Sequence, residues 1–181
     1  ALRNDTSPLG MTETEASWFG SVMFVMQPMG SGVSAFLQDV LGRKICLMAV
    51  NIPNLIAWTI IYFSSSTVHL FVAVIIMGIA MGFLEAPILS YMGEISQPRL
   101  RSILTSFSGV FSTIGMMLLS SLATVMDWRT LVIYSMIGPV MALIALAFVP
   151  DSPAWLASKG RVRDAEKAFQ WLRGWVGPED V

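Results

Sequence analysis

Charge is what this 181-residue sequence has least of: Asp, Glu, Lys and Arg make up 13% of it, against about a quarter in a soluble globular domain. A chain so poor in charge cannot wet a complete surface, which excludes an ordinary soluble globule. Its single cysteine, Cys46, excludes a disulfide framework and a Cys-rich metal site, and its place in an apolar run makes it a packing residue. The one histidine, His69, has no second His or Cys with which to ligate a metal and reads as interfacial. A net charge of −1 offers no basic excess for nucleic acid and no like-charge block for a disordered tail. There is no Ser/His/Asp set, no metal cluster and no phosphate-cradling glycine loop, so neither an enzyme nor a bound cofactor is expected.

What is present is apolar: 55% of the residues, arranged in long uncharged windows. No formal charge falls between Ala16 and Gln38, between Ile45 and Leu84, between Ser102 and Met126, or between Thr130 and Pro150. A bilayer core about 30 Å thick takes roughly 20 apolar residues per helix. The second window holds two spans and the others one each. The expected fold is an all-α membrane protein with five transmembrane helices over about 17–38, 45–63, 70–91, 102–126 and 130–149. Residues 1–16, polar and unlike a signal peptide, are expected to be an extracellular loop of a fragment whose start is elsewhere.

Beyond Pro150 the pattern changes. Asp151-Ser152-Pro153 places a capping hydroxyl before a proline at the first helical position. Val162, Ala165, Phe169 and Leu172 then recur at helical spacing, with acids early, Arg173 late and Gly174 as the stop. Residues 151–181 therefore read as the start of a cytosolic helical domain. Orientation follows from the cations of the short loops, which stay on the cytoplasmic side. Arg43, Lys44, Arg99, Arg101, Lys159, Arg161, Arg163, Lys167 and Arg173 fall on one side, and only Arg3 and Arg129 on the other. The N-terminus is expected outside the cell and the C-terminus inside, at the plasma membrane.

Three motifs share the cationic side. Asp39-x-x-Gly42-Arg43-Lys44 lies between the first two spans, where Gly42 permits a tight reversal and Asp39 can pair with the cations or cap a helix. Tyr91-Met92-Gly93-Glu94 through Arg99-Leu100-Arg101 follows the third span, and Pro150-Asp151-Ser152-Pro153-Ala154-Trp155-Leu156 follows the fifth. In order, spacing and topology these resemble the sugar porter family of the major facilitator superfamily. The run from Glu85-Ala86-Pro87 to Arg101, with Trp171-Leu172-Arg173-Gly174-Trp175, is similar to the insect facilitated trehalose transporters.

The resemblance implies a partial N-terminal helix bundle of such a transporter, missing its first helix and its C-terminal half. It implies passage of a sugar, trehalose or a hexose, by alternating access in the full-length protein. It also implies a cytosolic gate in which Asp39, Gly42, Arg43, Lys44, Glu94, Arg101 and Asp151 pair with each other and with equivalent groups of the other half. Departures are visible: Ala35 stands for the loop motif's first glycine, Ser102 for the glycine after Arg101, Ala154 for an arginine, and Gly109 for the glutamine that contacts sugar in hexose transporters. A sugar sensor that binds without transport, or an inactive truncated fragment, are the alternatives. The partners implied are the sugar, the lipid bilayer and the missing half.

Within the spans, Glu85 has two readings. A charged side chain at the bilayer centre costs about 2.5–3.5 kcal/mol, so it faces a cavity, where it would accept hydrogen bonds from sugar, or a structural partner. Gln27 beside Pro28, and Thr105 and Ser112 on the face Ser102, Thr105, Gly109, Ser112, Thr113 and Met116, are further cavity candidates. For that hydroxyl face, close helix packing is the preferred reading, as it is for Gly78-x-x-x-Gly82. Asn51 and Asn54, flanking Pro53, are read as structural amides that satisfy carbonyls freed by the proline.

Overall fold

A capping box begins the first helix: the Thr12 hydroxyl accepts the Glu15 amide, and the Glu15 carboxylate accepts the Thr12 N–H. The computed structural model describes residues 12–96 and 99–172, which form eight helices and no strand. They are α1 (Glu13–Leu41), α2 (Arg43–Ala49), α3 (Asn51–Tyr62), α4 (Thr67–Ile95), α5 (Arg101–Val125), α6 (Trp128–Phe148), α7 (Pro153–Ser158) and α8 (Val162–Leu172).

The described residues form long rods in the order α1, α2–α3, α4, α5 and α6, with ends that differ from the expected bounds. Because the Thr12–Glu15 box lies upstream of the apolar run, α1 begins inside the segment expected to be loop. The expected polar turn over Asp39–Lys44 shrinks to Gly42 alone, at φ 98° and ψ 156°, a conformation essentially closed to residues with a Cβ. The second rod starts at Arg43 and is broken once, at Val50, three residues before Pro53, which has no N–H to give the preceding turn. Val50 keeps helical angles (φ −65°, ψ −23°), so α2 and α3 continue as one 20-residue apolar rod. The Asn51 side chain, buried, donates to the Leu47 carbonyl at 2.7 Å, four residues back on its own rod, whereas the carbonyl that Pro53 leaves without its helical donor is that of Ala49. α4 runs through Tyr91 to Ile95, so Glu94 is helical rather than in a loop.

Among the described residues, four rods are long and apolar enough to cross a membrane: Arg43–Tyr62, Thr67–Ile95, Arg101–Val125 and Trp128–Phe148. α1, with 29 residues, has the length but not that degree of apolarity, because glycines, serines and Gln27 dilute its Val, Met and Phe.

The tightest packing is the α1–α4 crossing, and it is made of residues with almost no side chain. A Cβ on Gly30 would stand 2.0 Å from the Ile79 carbonyl oxygen, and one on Gly82 1.9 Å from that of Gln27. One on Gly78 would stand 2.5 Å from that of Met23. The Ser34 hydroxyl, fully buried between them, donates to the Phe83 carbonyl at 2.6 Å. This is how apolar helices associate in lipid: backbones approach, and dispersion and short polar contacts replace a hydrophobic driving force. Gly78-x-x-x-Gly82 is therefore a packing motif.

The expectation for the hydroxyl face of α5 is not met. No residue of α5 is buried, and its hydroxyls fold back on their own helix, Thr105 donating to Arg101 and Ser102 carbonyls and Thr113 to Gly109. α4 is already committed to α1 and α3, which leaves α5 a peripheral rod within this chain.

The tail forms as expected up to Leu172. Ser152 caps α7 with Pro153 next in line, and the Arg161 and Gly160 amides close α7 on the Leu156 and Ala157 carbonyls, with Gly160 at φ 75°. Leu156, Ala165 and Ala168 form a small core between α7 and α8. Gly174, Trp175 and Arg173 lie outside the described residues.

Candidate functional site

The up-and-down course of the rods brings the ends of α1, α4 and α6 and the starts of α2 and α5 to one end of the bundle, where α7 also begins. There Arg43, the first residue of α2, is the centre of a network. Its Nε and Nη2 reach Glu94 Oε1 at 3.0 and 2.9 Å, and its Nη1 reaches Asp39 Oδ1 at 3.2 Å and the Gln38 carbonyl at 3.1 Å. The guanidinium thus closes the open carbonyl end of α1 while it pairs with the last turn of α4. The second oxygen of Glu94 accepts the Ser152 hydroxyl, which is completely buried.

The two ion pairs differ in worth. Arg43 and Glu94 side chains keep 15% and 22% of their exposure, so solvent screens them little, and removal of one charge strands the other. The Asp39 side chain is 71% exposed, and an i,i+4 pair of that kind contributes only a few tenths of a kcal/mol. Lys44 donates to the Ala147 carbonyl at 3.5 Å, joining α2 to the last turn of α6. Two further bonds fasten the tail: Tyr91 donates its hydroxyl to the Pro150 carbonyl at 2.8 Å, and the Trp155 indole donates to the Asp39 carbonyl at 3.2 Å.

The structure thus brings together Asp39, Gly42, Arg43 and Glu94, with Lys44 adjacent. It does not bring Arg101 to Glu94. Arg101 is exposed at the start of α5 and makes no ion pair among the described residues, while Glu94 is engaged by Arg43 and Ser152. Asp151 does not join either; its Oδ1 is buried without a hydrogen-bond partner among the described residues. A cavity of about 390 Å³ lies beside this network, between the end of α6 and α7–α8, lined by Lys44, Asp151, Arg161 and Lys167 among others. None of the sugar-cavity candidates lines it.

Those candidates lie along the rods. Glu85 is exposed on α4, nine residues and so about 13 Å of helix from Glu94. Gln27 is half-buried on α1, Thr105 half-buried and Ser112 exposed on α5. Nothing among the described residues joins these four to one another. His/Cys/Asp/Glu groups able to hold a metal are absent among the described residues.

The family described as sugar (and other) transporter matches residues 2–181, essentially the whole chain. The chain belongs to that family. Among its relatives, the sugar transporter ERD6-like 6 of Arabidopsis thaliana is 34% identical over 169 residues, 93% of this chain and 35% of the relative. The facilitated trehalose transporter Tret1 of Bombyx mori is 31% identical, over 92% of this chain and 33% of the relative. The human solute carrier family 2, facilitated glucose transporter member 6, is 32% identical, over 96% and 34%. The chain spans about a third of the length of these relatives.

The fold matches the xylose transporter XylE from E. coli in a partially occluded inward-open conformation, with a TM-score of 0.81 at 19% identity, over 93% of this chain and 47% of that one. The same symporter bound to 6-bromo-6-deoxy-D-glucose matches at 0.78 and 21%. The chain thus has the architecture of the N-terminal half of a major facilitator. As a member of the sugar transporter family it is a membrane protein.

In this sugar transporter half, three contributors to the network went unranked in the sequence: Ser152, Trp155 and Tyr91. Ser152 was legible only as a helix cap, and its second role needs the sequence-distant Glu94 beside it. Tyr91 and Trp155 are legible only as members of the second and third motifs, and only the tail's docking turns their polar atoms toward backbone carbonyls.

Proposed function

We propose that the chain is the N-terminal half of a carrier that passes a sugar across the plasma membrane by alternating access. The other half is a second helix bundle outside this chain. The Arg43–Glu94–Ser152 network carries the reading. It ties the last turns of α1 and α4, the start of α2 and the tail into one unit at the end of the bundle. Pairs inside one half do not part when the halves rock; they stiffen that half so that it moves as a body. Arg101, exposed at the start of α5, is the group left to reach the other half. Charged hydrogen bonds of roughly 1.5–3 kcal/mol each are enough to bias a two-state equilibrium without locking it.

The nine-to-two imbalance of cations supports an external N-terminus and a cytosolic motif end, with α1 crossing beside the four more apolar rods. The relatives named as trehalose and glucose transporters support trehalose or a hexose as the substrate. Glu85, Gln27, Thr105 and Ser112 are the proposed sugar-facing groups. The hydroxyl of Thr105, having donated its proton to its own helix, is left as an acceptor for a sugar hydroxyl.

The test is uptake of radiolabelled trehalose and glucose by the complete transporter in proteoliposomes. Saturable uptake with counterflow is expected, and binding without counterflow would replace the carrier with a sensor. Glu85→Gln is expected to raise KM by several-fold while protein abundance holds. Equal losses of affinity and abundance would make Glu85 structural.

A further inference from the structure

We infer that Trp155 is a positioning residue for the charge network: its indole clamps the α1–α2 turn, so that Arg43 meets Glu94 only while the α7–α8 tail is docked. The inference rests on the carrier reading for its consequence, though not for its geometry.

Four observations carry it. Gly42, the whole of the α1–α2 turn, has a backbone conformation reserved for glycine, and the Trp155 ring lies on it: a Cβ there would stand 3.2 Å from the ring's Cη2 and Cζ2 atoms. The indole N–H donates to the Asp39 carbonyl, one of the last four of α1, which a helix by itself leaves unpaired. The ring is held in turn by the cap of α7, where the Trp155 amide donates to the Ser152 hydroxyl at 3.4 Å, and by the core it shares with Leu156, Ala165 and Ala168. Lastly, Ser152 and Trp155 are three residues apart in the first turn of one short helix. Ser152 holds the acid, Glu94, while Trp155 holds the turn from which the base, Arg43, projects.

One turn of α7 therefore grips both sides of the ion pair. Docking of the tail and formation of the pair become linked equilibria, and linkage is reciprocal: whatever lifts the tail weakens the pair, and loss of the pair loosens the tail. Arg43 needs this help because its own turn is one residue long, and the swing of α2 about Gly42 decides where the guanidinium points.

The experiment is hydrogen exchange by mass spectrometry on the complete transporter in nanodiscs, reading residues 36–46, 152–160 and, as controls, α5 and the α1–α4 crossing. Trp155→Ala is expected to speed exchange at 36–46 about fivefold, the scale of one net hydrogen bond with its packing. Trp155→Phe, which keeps the ring and loses the N–H, falls between it and the wild type, and serves by itself should the alanine variant not fold. By reciprocity Arg43→Ala speeds exchange at 152–160. Unchanged exchange at 36–46, a rise spread equally over the controls, or an undisturbed tail in Arg43→Ala would each overturn the inference. In transport, Trp155→Ala shifts the KM for trehalose at constant abundance, and the shift vanishes in the Arg43→Ala background. A wild type that moves neither trehalose nor glucose sinks the carrier reading and leaves the exchange result standing.

Discussion

Gly30 and Gly32 sit two residues apart on α1, and the same substitution should act on them in opposite directions. A methyl on Gly30 must retreat from 2.0 Å to the 3.4 Å of ordinary contact with the Ile79 carbonyl oxygen, and it meets the Phe83 amide nitrogen at 2.8 Å as well. These are backbone atoms of a helix, which no rotamer change can move aside. The crossing must open along its length, and the Ser34–Phe83 bond one turn away opens with it. Overpacking of this kind costs typically 1–3 kcal/mol and occasionally more. Gly32 has nothing within 4 Å, so a methyl there meets only open space and gains about 0.5–1 kcal/mol by restricting the unfolded backbone. The assay is the apparent Tm of each single variant in one detergent, followed by fluorescence-detected size exclusion. Gly30→Ala is expected to melt well below the wild type, Gly32→Ala at or above it. Equal behaviour of the two would refute close backbone approach as the basis of the α1–α4 crossing.

Gly42→Ala forces a Cβ into a conformation that costs about 1–3 kcal/mol and pushes on the Trp155 ring; a lowered Tm is expected, where Gly20→Ala, in open space, is harmless. Arg43→Ala leaves the largely buried Glu94 carboxylate unpaired, and a double-mutant cycle with Glu94→Gln, read in the same melting assay, should show coupling of about 1–3 kcal/mol; additive losses would mean the pair contributes nothing. Ser152→Ala removes both a helix cap and a donor to Glu94, for a loss of about 1 kcal/mol or more. Ser152→Thr, which keeps the hydroxyl, should recover most of it by the same measure.

From the amino-acid order alone come the rods, their approximate ends, the family, and the fact that Asp39, Gly42, Arg43, Lys44, Glu94 and Asp151 belong to one side of the molecule. These are legible because they follow from local quantities: the length of an uncharged run, a proline beside a capping hydroxyl, a glycine between two helices, and the alternation that carries successive rods up and down. Pairing is not local. Glu94 had several cations within reach on paper, among them Arg101, and chooses Arg43 because α4 continues helical past Tyr91 and α2 starts one residue after α1 ends. The α1–α4 seam likewise turns Gly30 and Gly82 from permissive residues into obligatory ones, since only the crossing decides which glycine meets a carbonyl oxygen and which meets empty space. The second role of Ser152, 58 residues from Glu94, and the placing of Trp155 on Gly42, more than a hundred residues away, depend on where the tail comes to rest, a matter of packing that no window of the sequence contains.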